Sequence, residues 1–455
     1  MLRFTRGGSL RYVHQIVEAF CTSTSRWEAA DREVNMKAFV GAAALLAGAF
    51  VSQSALAQTE VKVMRVEPGD AEQAFYERVV KKYEAAHPDV NVTFEYLANE
   101  AYKTKLPTLL QSSARPDIFY SWGGQGLVEQ VEAGFLKDIS GMVGEGVLDR
   151  FPKAALDAYS VDGKLYGLPL YATEVVFWVN KQLTEKAGVD DTQIKTWDDL
   201  IAAVKTLKDA GVTPIVAGGQ DKWPLHFYWS YLALREGGPD AVTAAMSGEG
   251  DGFGGEAFVE AGKDFQELTK LEPFQPGFMG TTYETASGMF ADGKGAFHLM
   301  GDWDYLPMRG RSQSGEGLPD SQLAIMSFPV IQDPVSSGGE GATLGGINGW
   351  AVTADASDQA VDFLTFLLNE DHQREIAKEG IFIPIVKGAD EALENRFFQR
   401  VAKDIAGSSY HQIFLDQYLG ASVGATVNDI SADLAQDATT PEEAAERVQE
   451  AWDFR

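Results

Sequence analysis

Cysteine is almost missing from this sequence: Cys21 is the only one in 455 residues. A disulfide framework within the chain is thereby excluded, and so is a zinc site built on several thiolates. A chain this long can bury enough apolar surface to fold without either. Histidine is scarce too. Apart from His14 there are His87, His226, His298, His372 and His411, none at metal-ligand spacing, so no metal site and no cofactor are expected. Basic charge is in deficit, with 38 Lys and Arg against 66 Asp and Glu and a formal net charge of −28. Affinity for nucleic acid depends on cations displacing phosphate counterions, and adhesion to anionic lipid depends on the same charge, so neither partner is expected. The one prominent apolar run, AFVGAAALLAGAFV over 38–51, has 14 residues and is too short to span a bilayer comfortably.

That run belongs to a secretory signal. Met36-Lys37 is a short basic start, and Ala55-Leu56-Ala57 matches the small-x-small cleavage pattern. The three parts together make residues 36–57 a signal peptide. Such a signal begins near its own Met. Met36 is therefore expected to be the true start, and 1–35 an extension upstream of it. Cys21 lies in that extension, so the chain from Gln58 onward offers no cysteine for a lipid anchor. A freely diffusing, monomeric protein of the periplasm is expected, with no stable membrane anchor.

From residue 58 the pattern alternates between periods of two and of 3.6. Val61 and Val63 read as a strand, 71–86 as a helix with Phe75, Val79, Val80 and Tyr83 on one face, and Val90, Val92, Phe94 and Tyr96 as a second strand. This order implies a parallel pair with a right-handed crossover. Leu106, Leu109 and Leu110 suit a helix, 116–120 a buried strand, and Val128, Val131 and Phe135 another helix. Strands are expected at 165–170, 175–179, 213–217, 296–300, 323–328 and 350–353. Thr196 and Asp199 could form a capping box, as could Thr440 and Glu443 after a first-turn Pro441. The fold class is α/β, with parallel sheets covered by helices. No Pro/Ser linker divides the chain, and the Gly-dense 247–255 reads as a loop between helices.

Most motifs of catalysis fail on context. Gly420-Ala421-Ser422-Val423-Gly424 matches G-x-S-x-G, but no His follows Ser422, so a small-residue packing site is favoured over a nucleophile. Gly250, Gly252 and Gly255 match the dinucleotide fingerprint without a preceding strand. No catalytic residue is assigned. The tryptophans are more suggestive. Trp122, Trp223 and Trp303 sit beside polar residues at loop-like or strand-end positions, where ordinary core packing competes with a carbohydrate site. Indole faces stack on the apolar face of a sugar ring, while carboxylates and amides meet its hydroxyls.

Six blocks in order carry a family resemblance: FYERVVKKYEAAHP (75–88) followed by VNVTFEY, RPDIFYSWGG (115–124) followed by EAGFLKDIS, GKLYGLPLYATEVVFWVNKQLTEKAG (163–188) followed by KTWDDL, MFADGKGAFHLMGDW (289–303), GGINGWAVTADAS (345–357), and AVDFLTFLLNEDHQREIAKEGIFIP (360–384). Over nearly all of 58–455 the chain resembles the extracellular solute-binding proteins of family 1, the maltose-binding-protein-like group that serves ABC sugar importers. The resemblance implies a two-lobed periplasmic-binding-protein fold of class II type with a hinge. The first lobe would be 58–172 with 345–390, and the second 173–344 with 391–455. It implies a sugar ligand captured by hinge closure and delivered to ABC permease subunits, with no enzymatic step, and the several candidate aromatic platforms spread along the chain favour an oligosaccharide over a monosaccharide. Carried over by position, Trp122 and Trp303 match stacking aromatics, Glu174 a polar contact near the hinge, and Asp221 with Trp223 an acidic-aromatic pair. Glu67 matches a loop contact, and Gly346 and Asn348 would flank the hinge. His226 and Asp302 join the set by proximity in sequence. Residues 420–424 are small where a maltose binder has an extra aromatic, which argues against maltodextrin. A glycan hydrolase using an Asp/Glu pair, or the same fold binding a polyol or other non-sugar solute, remain the alternatives.

Intact-mass analysis of the exported protein checks the processing site. The expected mature chain begins at Gln58, and peptides from upstream of Met36 in cell extracts would refute the internal start.

Overall fold

The computed structural model describes residues 58–455; Cys21, the extension and the signal peptide lie outside the described residues. β1 (Thr59–Val66) and β2 (Val90–Leu97) pair in parallel, Val61 opposite Val92, with helix Asp70–Ala86 between them in sequence. β3 (Ile118–Ser121) flanks β1, again in parallel. β4 (Ser160–Val161) and β5 (Lys164–Leu165) form a small hairpin.

The next strand is unlike the rest. β6 (Gly167–Asn180) runs for 14 residues, every one buried. The sequence pattern suggested two strands here, 165–170 and 175–179. Thr173 and Glu174 break the apolar run, yet both are buried and one strand, covered on both faces, continues through them. β7 (Phe297–Gly301) and β8 (Leu323–Met326) pair with its C-terminal half, antiparallel. β9 (Ala342–Val352) returns along the N-terminal half, from Glu174 opposite Gly345 to Gly167 opposite Ala351, and also pairs with β3. β10 (Ile383–Pro384) adds to β6, and β11 (Tyr410–Ile413) adds to β9 in parallel. The sheet is thus mixed rather than parallel, because β6 runs against each of its partners and β9 against β3 and β6. The expected strand at 213–217 is absent. Ile215 makes only isolated bridges to Phe274 and Phe297, since Pro214 lacks an N–H and Gly218-Gly219 follow at once.

Two apolar cores form along these shared strands. One gathers β1–β3, Leu168 to Tyr171 and Trp350 to Val352 with the helices Asp70–Ala86 and Asp358–Leu367. The other gathers Val175 to Val179, β7, β8 and the helices Trp197–Asp209, Trp223–Met246, Glu256–Thr269, Ala421–Ala435 and Pro441–Asp453. Both expected capping boxes close: Thr196 accepts from the Asp199 N–H and Thr440 from the Glu443 N–H, and each acid reaches back. Helix Gly124–Glu132 stops before Phe135, at Gly134 with φ of 72°. The 247–255 stretch connects two helices and carries only a short 3₁₀ turn, Gly252–Gly254.

The change of core falls between Tyr171 and Val175, and a carboxylate clasps the strand there. Asp302 Oδ1 accepts from the Thr173 hydroxyl and, at 2.8 Å, from the Glu174 N–H. Across the same register Gly345 approaches β6 so closely that a Cβ would overlap the Thr173 carbonyl oxygen. Two predictions follow for this crossing. Gly345→Ala is expected to cost about 1–3 kcal/mol through overpacking, read from urea unfolding. Burial pushes the Asp302 carboxyl up to about 7. A carboxyl held above its unfolded value contributes stability that is fully present below its ordinary value of 3.8 and is lost between there and about 7 as pH rises. Asp302→Asn, which copies the neutral form, is expected to match the native melting temperature near pH 3, to exceed it progressively between about pH 4 and 7, and to keep that margin above pH 8.

Candidate functional site

The two cores do not fuse along their whole length. A cleft opens between them, with about 840 Å³ of empty space that includes its open mouth, and it widens past Pro68, Gly69, Pro307 and Arg311 into a broader groove. One wall comes from the first core: the β1–helix loop (Glu67 to Gly69), helix Asn99–Leu110 through Lys103, and Trp122 just beyond β3. The other comes from the second core: Trp223, His226 and Phe227 in the first turns of helix Trp223–Met246, then Tyr283, Trp303, Phe414 and Asp416. Tyr171 and Asn348, from the two crossing strands, line the cleft between those walls.

Six of the ten residues singled out in the sequence meet in this cleft: Glu67, Trp122, Trp223, His226, Trp303 and Asn348. Trp122 stands edge-on to Tyr120 at 5.1 Å and to Tyr102 at 5.7 Å. Trp303 is held edge-on by Phe414 at 5.7 Å and Phe227 at 6.2 Å. Each indole is thereby steadied along its rim. Both are only partly buried, and both pack against both cores. The His226 Nε2 and Asn348 Oδ1 atoms are buried with no hydrogen-bond partner among the described residues.

The other four lie behind the wall. Asp302 serves as the clasp described above. Glu174 is next to Thr173 on β6 and so projects to the opposite face of the strand. Burial raises its carboxyl well above the usual range, with Asp404 and Asp302 adding to the shift. Asp221 accepts the Tyr283 N–H at 2.7 Å and so positions a ring that does line the cleft. Gly346 makes room for Phe414, whose Cε2 would lie 2.6 Å from a Cβ there.

Several lining residues carried no sequence signal. Arg65 is buried and bonded to Tyr76 at 3.1 Å, paired with Glu72, and its guanidinium lies 4.5 Å over the Tyr120 ring. Burial pushes the Glu72 carboxyl up, against the pull of Arg65. Arg311 contacts Asp304 at 3.2 Å, and Asp304 also accepts from Tyr283 and Ser287, each at 2.7 Å. Lys103 reaches across the cleft. Its Nζ is 5.8 Å from the Trp122 ring, 5.7 Å from the Trp223 ring and 3.9 Å from Asp416 Oδ2. The G-x-S-x-G segment flanks this cleft at one end: Gly424 packs on the Asp416 carbonyl, Gly420 on Glu129, and Ser422 is exposed.

This arrangement has relatives. A probable sugar-binding periplasmic protein of Rhizobium meliloti is 28% identical over 217 residues, 47% of this chain and 50% of its own. An uncharacterized ABC transporter extracellular-binding protein of Pyrococcus horikoshii is 26% identical over 242 residues, 51% of this chain and 53% of its own. The chain thus spans about half the length of these curated relatives. Among solved structures, one from work on xylan utilization by Caldanaerobius polysaccharolyticus superposes with a TM-score of 0.79 and 26% identity, covering 86% of this chain and 99% of that one. No helix among the described residues is long and apolar enough to cross a membrane. The model of the bacterial extracellular solute-binding proteins matches residues 68–374, and with its two cores joined by crossing strands the chain belongs to that family.

Proposed function

We propose that this protein captures a sugar, an oligosaccharide, in the cleft between its lobes and hands it to the permease subunits of an ABC importer. The observation that carries this reading is the cleft itself. Indoles from both cores, Trp122 on one side and Trp223 and Trp303 on the other, line it together with buried polar atoms that have no partner among the described residues. Stacking serves the apolar face of a pyranose, and the polar atoms serve its hydroxyls. The lobes are taken as 58–172 with 345–390 and 173–344 with 391–455. A ligand touching both favours the closed arrangement by its differential contacts, and the importer reads that arrangement.

The ligand-binding set is Glu67, Trp122, Trp223, His226, Trp303 and Asn348. Asp221 and Gly346 act by placing Tyr283 and Phe414, and Glu174 and Asp302 act at the crossing. The reading is one of binding without catalysis, in the periplasm, by a monomer. The probable sugar-binding periplasmic protein of Rhizobium meliloti supports the ligand class, and the ABC transporter binding protein of Pyrococcus horikoshii supports the partner.

Calorimetry tests the site. Among xylose, galactose, xylotriose, maltotriose and raffinose, a sugar that raises the melting temperature of the native protein is expected to bind Trp303→Ala at least about tenfold more weakly, with the circular dichroism spectrum unchanged. Equal affinities would remove Trp303 from the site, and release of reducing ends from the sugar would replace capture by hydrolysis.

A further inference from the structure

The inference here rests on sugar capture and specifies how the cleft distinguishes one hydroxylated ring from another. His226 Nδ1 lies 2.6 Å from the carbonyl oxygen of Trp223. A carbonyl oxygen only accepts, so Nδ1 carries the hydrogen and Nε2 presents a bare lone pair. Burial also disfavours the charged ring, pushing His226 below its usual range against the pull of Asp416. Oδ1 of Asp416, itself an acceptor, faces Nε2 at 3.6 Å. No hydrogen is available between the two. The other Asp416 oxygen is already engaged: Gln417 Nε2 donates to it at 3.0 Å and Asn428 Nδ2 at 3.3 Å, with Lys103 Nζ at 3.9 Å. Both side chains are nearly out of solvent, His226 at 1% exposure and Asp416 at 7%. His226 Nε2 is a buried acceptor without a partner, and it faces a second acceptor nearly withdrawn from solvent, an arrangement that is costly until donors reach them.

We propose that His226 Nε2 and Asp416 Oδ1 receive the two hydroxyl hydrogens of a vicinal diol on the bound ring, and that this pair decides which sugars the cleft admits. One hydroxyl has one hydrogen and satisfies one acceptor only. Gauche hydroxyls on neighbouring carbons stand about 3 Å apart, a spacing from which each can donate to its own acceptor. Diaxial neighbours point apart and cannot. A protonated amine could supply both hydrogens, but the Lys103 ammonium already beside Asp416 opposes a second cation. The two acceptors sit beside Trp223, so the diol would present its hydrogens along the edge of a stacked ring. A ring lacking one of these hydroxyls leaves a buried acceptor unpaired, which is a far stronger ground for rejection than a missing methylene.

Asp416→Asn provides the sharpest test. Gln417 and Asn428 both donate to the same oxygen, so the amide oxygen takes that place and the amide nitrogen faces His226. The protein then supplies its own hydrogen to Nε2 and no longer needs the ligand's. The expected result is a melting temperature equal to or above that of the native protein, together with at least tenfold weaker binding of whichever of xylose, galactose, xylotriose, maltotriose or raffinose the native protein binds. His226→Gln keeps an acceptor and is expected to retain more affinity than His226→Phe. A sugar bound equally by native protein and Asp416→Asn overturns the acceptor pair and leaves sugar capture standing. No heat and no thermal shift from any of the five with native protein overturns both.

Discussion

Everything else in this molecule depends on one strand being shared. β6 leaves the first core at Tyr171 and enters the second at Val175, without a loop between them. A buried backbone must keep its hydrogen bonds satisfied. Here they pass from β9 and β10 to β7 and β8 along the same strand. The point of exchange is where side-chain clasps matter, because the ladder alone does not hold both halves in one orientation. Asp302 supplies the clasp by binding the Thr173 hydroxyl and the Glu174 N–H with a single oxygen. The Gly345 approach on β9 keeps the neighbouring strand tight against it. The cleft opens beside this crossing, with Tyr171 and Asn348 contributed by the very strands that join the lobes.

The electrostatics of the cleft differ from those of the whole chain. The protein carries a formal net charge of −28, yet each cation that lines the cleft has an acid of its own: Arg65 with Glu72, Arg311 with Asp304, Lys103 with Asp416. A buried charge is tolerable only when paired and hydrogen-bonded. Arg65 illustrates the demand, with Tyr76 and Glu72 at its nitrogens and the Tyr120 ring beneath it. Such matched pairs create no net field to pull in an ion. They do leave oriented donors and acceptors, which suits a neutral, hydroxyl-rich ligand better than a phosphate or a polyamine.

Local signals in the sequence were legible where the physics is local. Capping boxes at Thr196 and Thr440, the opening β-α-β order and the loop at 247–255 all depend on a few neighbouring residues. The long strand was harder. Polar Thr173 and Glu174 interrupt its apolar run, so in the sequence β6 reads as two strands. The site was half legible. Trp122, Trp223 and Trp303 stand out because polar residues flank them, whereas Tyr120 falls in an expected buried strand and Tyr171, Tyr283 and Phe414 carry no mark of a site in the sequence. An aromatic facing a cleft and one facing a core leave the same mark, since only the meeting of two lobes separates them. Glu174 was misplaced for a simpler reason. Strand side chains alternate, so a residue one step from Thr173 and three from Tyr171 points away from the face they share.

The division of labour between rings and polar atoms follows from their symmetry. An indole offers a flat apolar face that accepts any pyranose with enough axial hydrogens on one side, so stacking on Trp122, Trp223 or Trp303 favours sugars as a class and separates them poorly. Hydroxyl stereochemistry can be distinguished only by atoms that hold fixed directions. In this cleft the fixed directions belong to side chains that are themselves tied down: His226 by the Trp223 carbonyl, Asp416 by Asn428 and Gln417, Tyr283 by Asp304 and Asp221. Each of these ties lies within the second core, whereas Trp122 and Lys103 belong to the first. A ring anchored by its hydroxyls on one side would thus meet the other lobe through the Trp122 indole and the Lys103 ammonium together with Glu67 and Asn348. Closing onto such a ring asks little exact matching of the Trp122 face, and the first lobe's share in selection falls to Glu67 and Asn348, whose polar atoms must meet particular hydroxyls.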